Sequence, residues 1–280
     1  MTDTRTIARL IAAQPASDGA GVALHRSIAT DDVPALDPFL LLDEFNSENP
    51  DDYIAGFPDH PHRGFETVTY MIDGRMRHKD SAGNEGLLTP GSIQWMTAGR
   101  GIVHSEMPEQ ENGRMRGFQL WVNLPAKDKM VAPRYQEFAP EELAVVNHEN
   151  EANVRIVAGA HAGKVGPVTD IAVDPVYLDI TLPAGASVEQ PVPLGHTGFV
   201  YTFGGDGVSV AGTDVPYRHL GLLSDGDTVT IANTGTGESR ALLVAGAPFN
   251  EPIARYGPFV MNTREEIMQA FDDFKSGRFA

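Results

Sequence analysis

Two pairs of potential metal ligands, each pair separated by a single residue, constrain the fold of this chain more than any other feature. The first pair is His60 and His62, and the second pair is His104 and Glu106. Successive side chains on a β-strand point to opposite faces, so residues two positions apart share a face. Each pair therefore predicts a strand that turns both ligands to one side. If the two strands face each other across a β-barrel, the four side chains converge on one point.

The four side chains offer three imidazoles and one carboxylate. This mixed nitrogen and oxygen donor set suits iron, nickel, copper, manganese or zinc. A single His-x-His pair is common on protein surfaces, whereas two pairs on glycine-bounded strand segments form a much more specific pattern. We therefore predict one transition-metal site built from β-strands.

The composition favours many short strands and excludes several functions. The 280 residues include 29 glycines and 20 prolines, which mark frequent turns. A formal charge of −17 at pH 7 repels phosphate backbones and anionic lipids, so we expect no direct nucleic-acid or membrane binding. The chain has no cysteine, which excludes disulfides and thiolate ligands. It also lacks a signal-peptide pattern and any apolar run of about 18 residues, so we predict a soluble, cytoplasmic protein.

Alternation and turn residues predict strands along most of the chain. Residues 66–72 alternate and are rich in β-branched side chains, and Asp73-Gly74 is a hairpin turn dipeptide. Further buried strands are predicted at 40–45, 92–96 and 118–125. The fold class is therefore all-β.

The second half of the sequence echoes the first. His62-Arg63-Gly64-Phe65 recurs as His196-Thr197-Gly198-Phe199, and residues 86–91 recur as 221–226 at nearly the same offset. Such repetition indicates an internal duplication. In this register the residues that correspond to three of the four ligands are not metal ligands: Leu194, Ser239 and Ala241. We therefore predict a metal-binding domain over residues 1–135 and a related domain without metal ligands over residues 136–280.

The C-terminal end departs from the β pattern. Thr263 and Glu266 have the spacing of a capping box, and Ile267, Phe271 and Phe274 recur at helical intervals. This pattern predicts a short helix over about 263–276, packed on the body of the protein.

Four stretches of the sequence carry a longer likeness to a known family: residues 60–67, 95–108, 119–125 and 256–263. They resemble the signature segments of the pirins, which are bicupins within the cupin superfamily. The resemblance implies two face-to-face antiparallel β-barrel domains of jelly-roll type, with one metal in the N-terminal barrel. By motif match, its ligands are His60, His62, His104 and Glu106. The family metal is iron, expected here as Fe(II), and Ni, Cu, Mn, Co or Zn would also suit these donors.

The resemblance implies two different functions. The first hypothesis is a metal-dependent dioxygenase that opens the heterocyclic ring of quercetin-type flavonols with O2, with Glu106 as the catalytic proton acceptor. The second is an iron-binding, redox-sensing regulator that acts through a protein partner. The acidic charge of the chain favours a basic protein over DNA as that partner. Oxygen uptake with quercetin would separate the two hypotheses.

Several residues near the ligands carry open interpretations. The general cupin pattern takes its glutamate from the first motif, where Glu66 stands, so Glu66 competes with Glu106 for the ligand role. We interpret Glu66 as a partner that orients a histidine ligand. Arg63 is interpreted as a salt-bridge residue, with a substrate contact as the alternative. Phe65 and Trp95 could line an aromatic pocket or belong to the core.

The remaining histidines give no pattern of their own. We expect these isolated residues to be ordinary surface or hydrogen-bonded histidines: His25, His78, His148, His161 and His219.

Overall fold

The computed structural model describes residues 3–279, and this part of the chain divides into two compact units. The N-terminal unit comprises Gln14–Pro140 with the described part of Phe249–Ala280. The C-terminal unit comprises Glu141–Pro248 with the described part of Met1–Ala13. The chain passes from the N-terminal to the C-terminal unit at residue 140, close to the boundary expected from the sequence. The two units are not contiguous in sequence, however, because the first segment of the chain belongs to the C-terminal unit and the last segment to the N-terminal unit.

Strands dominate both units. The first thirteen are β1 (Ile7–Ala12), β2 (Gln14–Asp18), β3 (Val22–Ile28), β4 (Phe39–Ser47), β5 (Phe57–His62), β6 (Phe65–Asp73), β7 (Met76–Asp80), β8 (Glu85–Leu88), β9 (Ile93–Thr97), β10 (Ile102–Pro108), β11 (Met115–Asn123), β12 (Arg134–Phe138) and β13 (Ala144–Asn147). The others are β14 (Asn153–Ala158), β15 (Ala160–His161), β16 (Lys164–Val165), β17 (Val176–Leu182), β18 (Ser187–Pro191), β19 (Thr197–Gly204), β20 (Gly207–Val210), β21 (Thr213–Pro216), β22 (His219–Leu223), β23 (Thr228–Ala232), β24 (Ser239–Gly246), β25 (Ala254–Tyr256) and β26 (Phe259–Met261).

In the part of the chain that the structure describes, helical structure is limited to one α-helix, α1 (Arg264–Lys275), and short 3-10 turns at Pro50–Asp52, Ala126–Asp128 and Pro140–Glu142. Thr263 caps α1 and forms the predicted capping box with Glu266. No helix within residues 3–279 is long and apolar enough to cross a lipid bilayer.

Each unit contains a seven-stranded and a four-stranded antiparallel sheet, together with a two-stranded one, β25-β26 in the N-terminal unit and β15-β16 in the C-terminal unit. In the N-terminal unit the strand orders are β12-β9-β6-β11-β4-β3-β2 and β5-β10-β7-β8. In the C-terminal unit they are β1-β22-β19-β24-β17-β14-β13 and β18-β23-β20-β21. The two pairs of sheets correspond strand by strand, as a duplicated jelly-roll requires. The all-β, duplicated prediction is confirmed, although the sheets are open at their edges and do not close into barrels.

The strand correspondence corrects one part of the sequence comparison. Residues 221–223 lie in β22, whose counterpart is β9, whereas residues 86–88 lie in β8. Ser239 and Ala241 lie in β24, which corresponds to β11 and not to the ligand strand β10. Assigning them as counterparts of His104 and Glu106 was therefore wrong, because the loops of the two halves differ in length and a constant offset does not hold.

The true counterpart of β10 shows how the two units differ inside. The buried face of β10 carries Ile102, His104 and Glu106, whereas that of β23 carries Val229 and Ile231. In the C-terminal unit these valine and isoleucine side chains belong to an apolar core. At this position the N-terminal unit buries ionisable groups, which require partners or ligands.

Candidate metal centre

Strands β5 and β10 bring three of the predicted ligands together. They pair antiparallel, and His60 lies directly opposite His104. The ring centroids are 4.4 Å apart for His60 and His104, 4.6 Å for His60 and His62, and 5.0 Å for His62 and His104. Each residue offers one nitrogen, and these nitrogens lie within 4.8 Å of one another. The strands are neighbours in one sheet, so the expectation that they face each other across a barrel was wrong.

Burial keeps the two inner histidines neutral. His62 and His104 are 3% and 1% exposed. Desolvation, and then the charge that a neighbouring histidine would carry, holds the pKa of both residues well below the ordinary value of 6.5. A neutral imidazole keeps the lone pair that a metal needs. These two histidines can therefore bind a cation near pH 7 without first losing a proton.

Unpaired ring nitrogens show that these residues fit a metal ion. His60 Nδ1 lies 2.8 Å from the carbonyl oxygen of Pro58, and donation to that oxygen leaves Nε2 as the lone-pair atom. Nδ1 of His62 and both ring nitrogens of His104 are buried without a hydrogen-bond partner among residues 3–279. An unsatisfied buried polar group costs about 1–3 kcal/mol. Coordination of a metal would satisfy one nitrogen on each ring.

Glu106 lies beside the three histidines but outside the group of mutually close nitrogens. The pairing of β10 with β5 shifts register after His104, so Glu106 stands opposite Phe57. Its Oε1 lies 2.7 Å from Thr69 Oγ1, and its Oε2 accepts a hydrogen bond of 3.0 Å from Gln119 Nε2. The carboxylate is therefore buried and held by two side chains that the sequence interpretation did not single out.

Glu66 points away from the candidate centre. β5 ends at His62, the chain turns through Gly64 at φ 85°, and β6 begins at Phe65. On β6, Thr69 faces Glu106, so alternation turns Glu66 to the opposite face of the sheet. There it accepts a hydrogen bond of 2.7 Å from Thr97, and burial raises its pKa to about 6. The interpretation of Glu66 as a partner of a ligand histidine was wrong, because the turn breaks the strand periodicity.

Arg63 has a structural role, as the salt-bridge interpretation predicted. Its Nη1 lies 2.8 Å from Oδ2 of Asp273 on α1, and its guanidinium lies 4.5 Å from the centre of the Phe279 ring. These contacts attach the C-terminal helix to the N-terminal unit and leave Arg63 outside the cavity described below.

The two predicted aromatic residues have different positions. Phe65 is fully buried, and its ring centre lies 5.0 Å from that of His62 and 4.3 Å from that of Trp121. Phe65 therefore packs against the ring of His62 and restricts its movement. Trp95 is also buried, but it pairs with Val68 on the face that carries Glu66, and it does not line the cavity.

A cavity of about 540 Å³ opens onto His60, His62 and Glu106. Its volume lies within the range of about 300–1,000 Å³ that small-molecule sites occupy. Most of its wall is apolar or aromatic, including Leu24, Leu41, Phe45, Phe57 and Trp121. The site is suited to a flat, largely apolar ligand with a polar group directed at the histidines.

Two arginines line or flank the far part of this cavity. Arg26 binds both carboxylate oxygens of Asp43, at 2.8 and 2.6 Å, and also contacts Asp18 at 2.6 Å. Burial raises the pKa of Asp43 to about 6, against the opposing effect of Arg26. Arg255 lies over the ring of Trp121. No sequence pattern predicted that these two arginines would lie at the cavity.

His78 is a hydrogen-bonded histidine, one of the two alternatives expected for the isolated histidines, and it is buried beside Glu106. It stands opposite Glu106 in the pairing of β10 with β7, and its Nε2 lies 2.5 Å from Oε2 of Glu137. Its ring stacks on Tyr135, with centroids 5.7 Å apart. A Cβ at Gly86 would lie 2.2 Å from His78 Nε2, so this glycine provides the space for the histidine.

The fold and the site together define a class of protein. Two duplicated jelly-roll units, one of which contains a three-histidine group that could hold a metal, are the features of a bicupin. Family models agree: the model described as Pirin matches residues 21–122, and that of the Pirin C-terminal cupin domain matches residues 177–280. The chain belongs to the pirin family.

Individual relatives match over the whole chain. A pirin-like protein of Caulobacter vibrioides is 51% identical over 276 residues, which are 98% of this chain and 99% of the relative. A Pseudomonas aeruginosa protein provisionally named a quercetin 2,3-dioxygenase is 47% identical, with 100% of each chain covered. The crystal structure of quercetin 2,3-dioxygenase from Acinetobacter baumannii has a TM-score of 0.90 at 33% identity, with 99% of each chain covered.

Proposed function

We propose that this protein is a metal-dependent dioxygenase that cleaves the heterocyclic ring of quercetin-type flavonols with O2. The observation that carries the proposal is a group of three histidines beside a small-molecule cavity. His60 and His62 line the cavity, and ring nitrogens of His62 and His104 are buried without a hydrogen-bond partner among the described residues. The names of the P. aeruginosa relative and of the A. baumannii structure support this choice of substrate.

In this proposal His60, His62 and His104 hold one divalent metal ion, and Glu106 is the fourth ligand. Iron(II) is the metal we propose, since the mixed nitrogen and oxygen donors suit it and the chain is a pirin. The bound metal would supply a Lewis acid that lowers the pKa of a substrate hydroxyl.

The residues around Glu106 are arranged to accept that hydroxyl proton. Thr69 Oγ1 lies 2.7 Å from Glu106 Oε1 and 3.0 Å from Gln119 Oε1, and a hydroxyl has only one proton to donate. With Glu106 ionised, Thr69 donates to Glu106. Once Glu106 carries a proton, it donates to Thr69, and Thr69 turns its own proton to Gln119. Both protonation states of Glu106 therefore have satisfied hydrogen bonds.

The cavity wall orients the substrate and excludes water. Phe45 and Phe57 present aromatic surfaces against which a planar ring system can pack, with centroid distances of about 4.5–7 Å in such pairs. Exclusion of water strengthens the interaction between the substrate oxygen and the polar groups at the histidine end of the cavity.

The test is oxygen consumption with quercetin by protein purified without chelator and reconstituted with iron(II) under anaerobic conditions. Metal analysis should give one equivalent per chain, and oxygen uptake should require the flavonol, the metal and His60. Nickel, copper, manganese, cobalt and zinc are compared in the same assay. Stoichiometric metal without flavonol-dependent oxygen uptake for any of these metals would contradict the proposal.

A further inference from the structure

Arg255 places a positive charge on the wall of the cavity. It lies on β25, in the final segment of the chain, which belongs to the N-terminal unit. Its guanidinium carbon is 4.6 Å from the centre of the Trp121 ring, and its Nη1 donates a hydrogen bond of 3.0 Å to the carbonyl of Leu40. The guanidinium is thereby fixed in position with most of its five N–H groups uncommitted.

Arg255 forms no salt bridge within residues 3–279: no carboxylate oxygen of the described residues lies within 4.0 Å of its guanidinium. Arg26, by contrast, is paired with Asp43 and Asp18. Arginine remains protonated, although desolvation lowers the pKa of Arg255 from its ordinary value. The chain has 38 acidic and 21 basic side chains, yet this arginine is partly desolvated without a salt-bridge partner. Because desolvating an unpaired charge is unfavourable, binding of an anion at Arg255 would be stabilising.

Asp43 and Asp18 act on Arg255 electrostatically, but neither forms a salt bridge with its guanidinium. Asp18 and Asp43 are bound by Arg26, and Glu106 is held by its own two partners at the histidine end. Asp59 is exposed to solvent, where its field is screened.

Trp121 separates the arginine from the histidines. The centres of the Trp121 and His62 rings are 5.2 Å apart in an edge-to-face arrangement, and Arg255 stacks on the same indole. The charge of Arg255 is also one of the causes that lower the pKa of His62. A planar ligand that lies along Trp121 with one end at the histidines therefore presents another part of its ring system to Arg255.

We propose that Arg255 forms an anion-recognition subsite, and that the cavity prefers planar aromatic ligands that carry a carboxylate or ionised phenol distant from the group directed at the histidines. Whether such a ligand also reacts depends on the proposed function. The binding preference itself depends only on the cavity and Arg255.

Binding of a matched pair of probes tests the subsite without any reaction. The probes are 3-hydroxyflavone and 3-hydroxyflavone-4′-carboxylic acid, compared at pH 7.5 under anaerobic conditions. Binding is measured as quenching of tryptophan fluorescence, for which Trp121 in the cavity is the reporter and Trp95 lies outside it. Both metal-free and iron-loaded protein are titrated.

We expect the wild-type protein to bind the carboxylate about 10-fold more tightly than the neutral probe, since a charge-assisted hydrogen bond contributes at least that factor. Arg255→Met should abolish the preference, and Arg255→Lys should retain part of it, because it keeps the charge and loses the planar fork. Arg264→Met removes an exposed arginine from α1 and is the control for net charge. It should bind both probes like the wild type.

The proposal is overturned if the wild type shows no preference, or if folded Arg255→Met protein keeps the full preference. Circular dichroism establishes folding. If the methionine variant does not fold, Arg255→Gln takes its place, and a folded glutamine variant that keeps the full preference overturns the proposal equally. A preference that depends on Arg255, together with an absence of oxygen uptake with either flavonol, would support the subsite and contradict the dioxygenase.

Discussion

His60 and His104 stand directly opposite each other on neighbouring antiparallel strands, with ring centres 4.4 Å apart. Cross-strand neighbours on one face of a sheet are held at this distance by the backbone hydrogen bonds. The sheet therefore positions these two rings, and His62 joins them because it lies two residues from His60 on the same face. The centre is built on a rigid element and needs no loop closure to assemble.

Replacing His104 with alanine should abolish stoichiometric metal binding, because it removes one of three convergent nitrogens. Added metal should raise the melting temperature of the wild type, since a ligand that binds only the folded state stabilises it, and this rise should be lost in the variant. His219→Ala, which changes a histidine of β22 in the C-terminal unit, is the matched control. Equal metal content in the two variants would show that His104 is not a ligand.

The two buried glutamates should behave differently when each is changed to glutamine. Glu106→Gln removes the proposed proton acceptor, so turnover per bound metal should fall on the order of 10²–10⁴-fold. Glu66→Gln should leave turnover and metal content close to wild type, because Glu66 faces the other side of the sheet. The measurement is quercetin-dependent oxygen uptake divided by the metal content of each preparation. If turnover per bound metal fell in Glu66→Gln and not in Glu106→Gln, Glu66 would be the proton acceptor instead of Glu106.

The raised pKa of Glu66 predicts a specific dependence of stability on pH. Burial raises this pKa from 4.5 to about 6, so the folded state binds more protons than the unfolded state between these values. Stability contributed by this group is fully present below pH 4.5 and is lost as the pH rises through 6. The difference is about 2 kcal/mol, at about 1.4 kcal/mol per pKa unit.

Urea unfolding of metal-free wild type and Glu66→Gln from pH 4.5 to 7.5 measures this effect. All other ionisable groups are common to the two proteins, so their contribution cancels in the comparison. The free energy of unfolding of the wild type should fall by about 2 kcal/mol relative to that of the variant as the pH rises across this range. Parallel curves would mean that the pKa of Glu66 is the same in the folded and unfolded states.

Gly86→Ala should destabilise the protein by about 1–3 kcal/mol, the usual cost of inserting a methyl group into a packed site. The added Cβ would meet His78 Nε2 and the carboxylate of Glu137, and the stacked ring of Tyr135 restricts movement of the histidine. The backbone at Gly86 does not have a positive φ, so the effect comes from contact alone.

The double variant Gly86→Ala with His78→Ala isolates that contact. If the clash is the cause, the glycine substitution should cost much less when the histidine is already absent, which denaturant unfolding of the four proteins measures as a coupling energy. Additive effects would assign the loss to the backbone of β8 instead.

Local sequence patterns determined much of this protein. Side chains alternate between the two faces of any strand. The two-residue spacing therefore predicted that His60 shares a strand face with His62, and His104 with Glu106. The capping box at Thr263 likewise predicted the start of α1, because its hydrogen bonds join residues three apart. The repeated His-x-Gly-Phe segment indicated a duplication that the strand orders of the two units confirm.

Tertiary structure alone decided which strands became neighbours and where the chain turned. β5 and β10 share a sheet, and the turn at Gly64 moves Glu66 off the face that periodicity assigned to it. Arg255 and Trp121 meet although they are far apart in sequence, as do His78 and Glu137. Alternation determines the direction of a side chain within its own strand, but partners across strands depend on pairing, bulges and loop lengths, which no local pattern specifies.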